Sequence, residues 1–363
     1  MLRQLRLPAW TAVVPPLAVL VLAATWSAKK PPALVLVVVG VLLAASVLAA
    51  VHHAEVVAHR VGEPFGSLVL AVAVTVIEVA LIVTLMASSP PEEAATLARD
   101  TVFAAVMVTC NGIVGVCLLL GALRTRVAAF NAEGSATALA TVSTLATLCL
   151  VLPTFTTSRP GPEFSSAQLA FAAVASLALY GLFVVVQTVR HRDYFLPVGV
   201  TDDADGHADP PTARETLVSL GLLLVALVAV VGLAKIESPA IENAVEAVGA
   251  PASAVGVVIA LLVLAPETLA AVRNARRDRV QTSFNLAYGS AMASIGLTIP
   301  AIAVASIWQE GPLILGLGPT QMVLLAITVV VGGLTVLPGR ATLQEGGVHL
   351  AIFAAFLFLA LNP

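Results

Sequence analysis

Long apolar runs alternate along this chain with short polar stretches that hold most of its Pro, Arg and acidic residues. A helix crosses the hydrocarbon of a bilayer with roughly 20 mostly apolar residues. Measured that way, the pattern predicts eleven spanning helices, at about 10–26, 33–51, 65–87, 101–123, 136–154, 167–188, 215–234, 252–272, 283–308, 319–337 and 347–361. The runs are continuous and lack the two-residue alternation of a barrel strand, so helices are expected throughout. The expected fold class is an all-α polytopic membrane protein, with short connections joining antiparallel neighbours. The first run has a rival reading. Arg3 and Arg6 precede it and LAATWSA closes it, as in a secretory signal. Trp26 and the Lys29–Lys30 pair suit a cleavage site badly, and a retained helix is the expectation.

Composition agrees with the pattern. The 363 residues are 59% hydrophobic and 11% charged, with a mean hydropathy of +1.00. A soluble domain is roughly 45–50% apolar and about 25% charged. Cys110, Cys117 and Cys149 all fall inside apolar runs, where small packing residues are the simplest account. No phosphate-binding glycine loop, nucleophile elbow or HExxH helix is present. With no aspartate pair in the spans either, the chain is not expected to be an enzyme, to need a cofactor or to bind nucleic acid.

Charge changes the picture through its placement. With eleven spans, one side of the membrane receives the N-terminus and the loops after spans 2, 4, 6, 8 and 10. That side holds 13 of the 18 Lys and Arg residues, including Arg60, Arg124, Arg190, Arg214 and the run RNARRDR at 273–279. The positive-inside rule then puts the N-terminus in the cytoplasm and the C-terminus outside a cell (inner) membrane. RNARRDR reads as an anchor against anionic lipid.

The pattern also repeats. VGEPFGSLVLAVAVTVIE (61–78) resembles VGAPASAVGVVIALLVLAPE (248–267), and both end on a solitary glutamate. TVFAAVMVTCNGIVGVCLLLGA (101–122) lies over TSFNLAYGSAMASIGLTIPAIA (282–303), matching Phe103 with Phe284 and Gly115 with Gly296. The two copies enter the membrane from opposite sides, the pattern of a secondary transporter built from inverted halves. The expected organisation is an N-terminal helix and loop (1–32), a first five-helix repeat (33–190), an acidic cytoplasmic linker (191–214) and a second, inverted repeat (215–363). DDADG in the linker lacks the later ligands of a calcium loop, so a disordered link is expected there.

Of the 21 acidic residues only Glu78 and Glu267 lie deep in apolar runs, and no Lys or Arg accompanies them. Each sits about 20 Å along its helix at 1.5 Å per residue, near mid-bilayer. Two carboxylates facing each other in a low dielectric cannot both be ionised without a counter-charge, so they titrate as one coupled unit. A hard cation such as Ca²⁺ supplies that charge and takes six to eight oxygens, the remainder coming from carbonyls, hydroxyls or water. Thr109 and Asn111 in one half, with Asn285, Ser290 and Ser294 in the other, are candidate ligands; Thr75, three residues before Glu78, is placed to bond it or its own helix backbone. Glycines and Pro266 are placed to break the helices there. A pair that holds one cation or protons, but not both, is the core of an antiporter. Its partners are then the transported cation, protons and lipid, with the oligomeric state open. The alternative from these residues is a cation channel with a glutamate-lined pore, though a ring around a pore needs rotational rather than inverted copies.

GEPFG…VTVIE, TCNGIVG and LAPE…RNARRDRVQTSFNLAYGSAMASIGLTIP resemble the bacterial calcium/cation–proton antiporters of the Ca²⁺/cation antiporter superfamily, over spans 2–11. The resemblance implies eleven helices, paired repeats, and Glu78 and Glu267 as the shared site for proton and metal. It leaves the ion open among Ca²⁺, Na⁺ and K⁺. Beside that site, His52, Glu55, His59 and Glu63 fall at steps of three or four on one helix face at the cytoplasmic boundary. They read as a solvated helix end or as a pH-sensing, cation-attracting vestibule.

Overall fold

The structure, a computed structural model, describes residues 8–26, 28, 31–62, 65–198, 211–247, 249–251, 253–308 and 311–362. Twelve helices carry these residues: α1 (Ala9–Thr25), α2 (Ala33–Val61), α3 (Phe65–Met86), α4 (Pro91–Thr125), α5 (Ala132–Phe155), α6 (Ser166–Arg190), α7 (Ala213–Ala247), α8 (Ser253–Val263), α9 (Ala265–Ala275), α10 (Val280–Ala305), α11 (Pro319–Val336) and α12 (Leu343–Leu361). Among the described residues nine helices are long and apolar enough to cross a membrane, or ten when α8 and α9 are taken as one broken span. The expectation of eleven had counted the 17-residue α1 as a full span.

Local chemistry sets the ends. Pro91 and Pro319 open α4 and α11, where the missing N–H costs nothing. Asn131 caps α5 by accepting from Gly134 N at 2.9 Å, and Ser165 with Gln168 forms a capping box on α6. The predicted span at 252–272 is instead two helices meeting at 52°. Leu264 leaves helical geometry at the break (φ −85, ψ 0), just before Pro266 in the first turn of α9. Proline inside a helix clashes with the carbonyl of the preceding turn, so the chain restarts there. Three π-helical turns, Val108–Ile113 in α4, Thr147–Val151 in α5 and Val186–Arg190 in α6, were not foreseen.

The spans alternate in direction, with α8 and α9 counting as one broken span. At one end of the bundle Arg60 donates to the carbonyl of Pro211 (3.1 Å), Arg124 to that of Arg276, and Asn285 to that of Phe195 (2.6 Å). A two-residue antiparallel pairing of β1 (Ala128–Ala129) with β2 (Arg340–Ala341) ties the loop after α4 to the loop after α11 at the same end. At the other end Ser89 donates to Glu242 (2.6 Å), and the backbone N–H of Ile314 reaches the carbonyl of Ala95 (2.9 Å).

Burial separates centre from rim. The most apolar stretch of α4 is 89% buried within the protein and that of α10 61%, against 22% for α6 and α12. Leu20, Leu34, Phe171, Val174, Leu224 and Leu334 are among the large apolar residues left exposed, as lipid-facing helices require. The packing is reciprocal. α2 lies along α7; α3 and α8 pack on α10 and α4 respectively; α5 and α6 pack on α10 as α11 and α12 pack on α4.

Candidate functional site

A cavity of about 200 Å³ lies between the first half of α3, the second half of α6, the start of α9 and the first half of α10. Glu78 and Glu267 both line it, together with Thr75, Asn285, Ser290 and Ser294. Glu78 comes from the unbroken α3, whereas the helix break at Leu264 places Glu267 in the first turn of α9. A carboxylate in a first helical turn sits at the positive end of the helix dipole.

The hydrogen bonding of this cavity is incomplete. Glu78 is 2% exposed; its Oε2 accepts from the Ser294 hydroxyl at 2.9 Å, and its Oε1 has no partner. Glu267 Oε2 and the Thr75 hydroxyl are likewise buried without a partner. Leaving a polar atom unpaired in the interior costs about 1–3 kcal/mol, so three such oxygens around one cavity are an open donor set. Two carboxylates and several hydroxyls suit a hard cation. Among the described residues no cluster of three or more His, Cys, Asp or Glu gathers to hold a metal.

The other residues read from the sequence fall as follows. Asn285 stands at the rim with its amide engaged: its Nδ2 donates to Phe195 O, and its Oδ1 accepts from Gln281 (2.8 Å). Ser290 lines the cavity. Thr109 and Asn111 do not line it. Thr109 turns its hydroxyl to the carbonyl of Ala105 at 2.7 Å. Asn111, on the π-helical turn of α4, donates to Thr328 (2.9 Å) and shares a hydrogen bond with His349 Nδ1 (3.2 Å), whose Nε2 meets Thr335 (3.1 Å). All four are fully buried, forming a polar clasp between α4, α11 and α12. Asn111→Ala strands the partners of both amide atoms and is expected to cost about 1–3 kcal/mol of stability. A thermal melt of the purified protein checks this, and an unchanged melt would contradict the clasp.

Of the proposed vestibule, His52 Nδ1 stands 3.9 Å from Glu55 Oε2, and His59 is exposed. None of these three lines the cavity, and Glu63 lies outside the described residues, as does the linker from 199 to 210. Gln187 and Thr282, which do line the cavity, were not singled out from the sequence. Thr282 was legible, standing one helical turn before Asn285 on the same face.

Comparison with known proteins places the chain in a family. The family described as sodium/calcium exchanger protein matches residues 32–189 and 218–362. A protein of Sinorhizobium fredii named as an ionic transporter, y4hA, is 45% identical over 367 residues, covering 99% of this chain and 98% of that one. The sodium-potassium/proton antiporter ChaA of Escherichia coli is 35% identical over 321 residues, 88% of this chain and 86% of its own. Among solved structures, native YfkE superposes with a TM-score of 0.70 at 18% identity, over 98% of this chain and 99% of that one, a likeness of fold. The chain therefore belongs to the sodium/calcium exchanger family of membrane transporters.

Proposed function

We propose that the protein is a secondary cation/proton antiporter of the cell membrane, working by alternating access around Glu78 and Glu267. The observation that carries this reading is the shared cavity, where two carboxylates from different halves of the chain present unpartnered oxygens and, among the described residues, no cationic side chain joins the lining. A cation or protons can satisfy those oxygens, but each displaces the other. If the protein changes state only when the pair is neutralised, flow of one drives counter-flow of the other.

The inverted 5+5 organisation is part of this proposal. Support comes from the reciprocal packing, α3 and α6 on α10 as α8 and α12 on α4, and from the family match falling in two blocks separated by 190–217. The end of the bundle bearing Arg60, Arg124, Arg276 and Arg190 is assigned to the cytoplasm by the positive-inside rule. The cavity extends toward that end through Gln187, Thr282 and Asn285, as an inward-facing state requires.

Ca²⁺ leads as the exported ion, because two carboxylates neutralise it and its flexible shell accepts hydroxyls and water. A second reading, Na⁺ or K⁺, is favoured by the 35% identical relative, whose name gives a sodium-potassium/proton antiporter. Proteoliposomes with an imposed pH gradient, challenged separately with Ca²⁺, Na⁺ and K⁺, separate the two. Only the transported ion dissipates the gradient, and no dissipation by any of the three would contradict antiport. In the same assay Ser294→Ala, which removes the hydroxyl on Glu78 Oε2, is expected to raise the cation KM about tenfold or more, in keeping with about 1.5–3 kcal/mol for hydrogen bonds to charged groups. An unchanged KM would separate Ser294 from the site.

A further inference from the structure

A further buried carboxylate stands at the opposite end of the bundle. Asp100, in the first half of α4, is 4% exposed. Its Oδ1 accepts from Arg99 Nε at 2.8 Å and from Gln321 Nε2 at 3.2 Å, while its Oδ2 is buried with no partner. Asp100 lines a separate cavity of about 270 Å³, with Arg99, Phe103, Val257, Gln321 and Phe356 around it. Arg99 also donates to the carbonyl of Gly316, in the segment leading into α11, which fixes this cavity at the end away from the loops bearing Arg60 and Arg124.

The two cavities correspond. The first is made from the start of α3, the end of α6 and the start of α10. The second is made from the start of α8, the end of α12 and the start of α4, the same exchange of helices that the reciprocal packing follows, with the start of α11 added where the first has the start of α9. In the register that lays Phe103 over Phe284, Asp100 falls on Gln281, which bonds Asn285 at the rim of the glutamate cavity. Phe103 and Phe356 stack edge to face at 5.7 Å between centroids in the wall of the second cavity. Its back is rigid: a Cβ on Gly256 of α8 would lie 2.8 Å from the backbone nitrogen of Thr101, so α8 rests on the α4 backbone beside Asp100.

A carboxylate oxygen buried and bare beside a cavity is costly, because most buried polar atoms are paired, and a bound cation would recover that cost. Arg99 cancels much of the charge without covering that oxygen. The result is a carboxylate that holds a cation weakly, as a cation on its way out requires. We propose that Asp100 Oδ2 is a low-affinity waypoint for the transported hard cation, at the mouth opposite the one the glutamate cavity faces. This rests on the exchange function proposed above.

The test is the cation KM at each face, measured with Ca²⁺ and in parallel with Na⁺, in everted and right-side-out membrane vesicles. Asp100→Asn is expected to raise KM about tenfold at one face, the loss of a hydrogen-bonded charge, and to leave the other face unchanged. Asp100→Glu restores it. Arg99→Gln removes the competing cation and lowers KM at that same face. A structural ion pair gives the contrary result: both variants change the two faces equally, or change neither, and that would overturn the waypoint. Loss of flux in Glu78→Gln beside an unchanged KM in the Asp100 and Arg99 variants would overturn the waypoint and leave the proposed function standing. Undiminished flux in the glutamate variants would overturn the proposed function, while the one-sided KM shifts would still be read on that flux.

Discussion

Glu78→Gln is expected to abolish exchange while leaving the protein folded. The glutamine keeps the size of the side chain and can still bond the Ser294 hydroxyl, which rotates to suit. It lacks the negative charge and the exchangeable proton, so it serves neither substrate. Removing one partner from a buried charge interaction costs about 3–5 kcal/mol, which at tenfold per 1.4 kcal/mol is a loss of about 100-fold or more. Glu267→Gln is expected to do the same, because its Oε2 faces the same shortage of partners. Initial rates in proteoliposomes read the loss, and a thermal melt separates it from misfolding. A variant that melts with the wild type yet exchanges at more than a tenth of its rate would remove Glu78 from the mechanism.

Gly346→Leu is expected to loosen the fold strongly. A Cβ at Gly346 would lie 2.9 Å from the backbone nitrogen of Leu119 and 3.2 Å from the carbonyl oxygen of Gly115. Helices in a bilayer gain their association from close packing, and small residues let the backbones meet. Backbone cannot swing aside as a side chain can, so the leucine levers α12 away from α4, the most buried helix of the bundle. The same displacement pulls His349, one turn further along α12, from Asn111. Overpacking a core costs about 1–3 kcal/mol, and the loss of the clasp adds to it. The neighbouring Gly347 has nothing within 4 Å of its own Cβ position, so Gly347→Leu is the matched control and is expected to melt with the wild type. Equal melting temperatures for the two variants would refute the close contact.

Much of this architecture was legible because the bilayer imposes it. A spanning helix must be long and apolar, so the runs read out as helices, and a charge inside one stands out, as Glu78 and Glu267 did. Tertiary partners hid the rest. Pro266 marked a break, but the bend at Leu264, which sets Glu267 at a helix start, depends on what packs around it. Asn111 reads in sequence as a candidate ligand; its commitment to His349 and Thr328 comes from helices more than 200 residues away. His349 itself is a lone histidine in an apolar run, with no local signal. Asp100 sits just outside the predicted run at 101–123, where it passes for an ordinary interfacial charge, because the helix in fact begins at Pro91. The His and Glu face of α2 shows the converse. The spacing of His52, Glu55 and His59 is as regular as the sequence suggests, yet none of them lines the glutamate cavity.

The central claim is that one carboxylate pair couples two ions in opposite directions. Proteoliposomes loaded with the transported cation, with no pH difference across them at the start and the membrane voltage clamped, test it most directly. The account predicts that cation efflux acidifies the lumen in the wild type and that both movements cease together in Glu78→Gln and in Glu267→Gln. Cation efflux with no accompanying change of pH, at rates that the two substitutions leave unaltered, would contradict it.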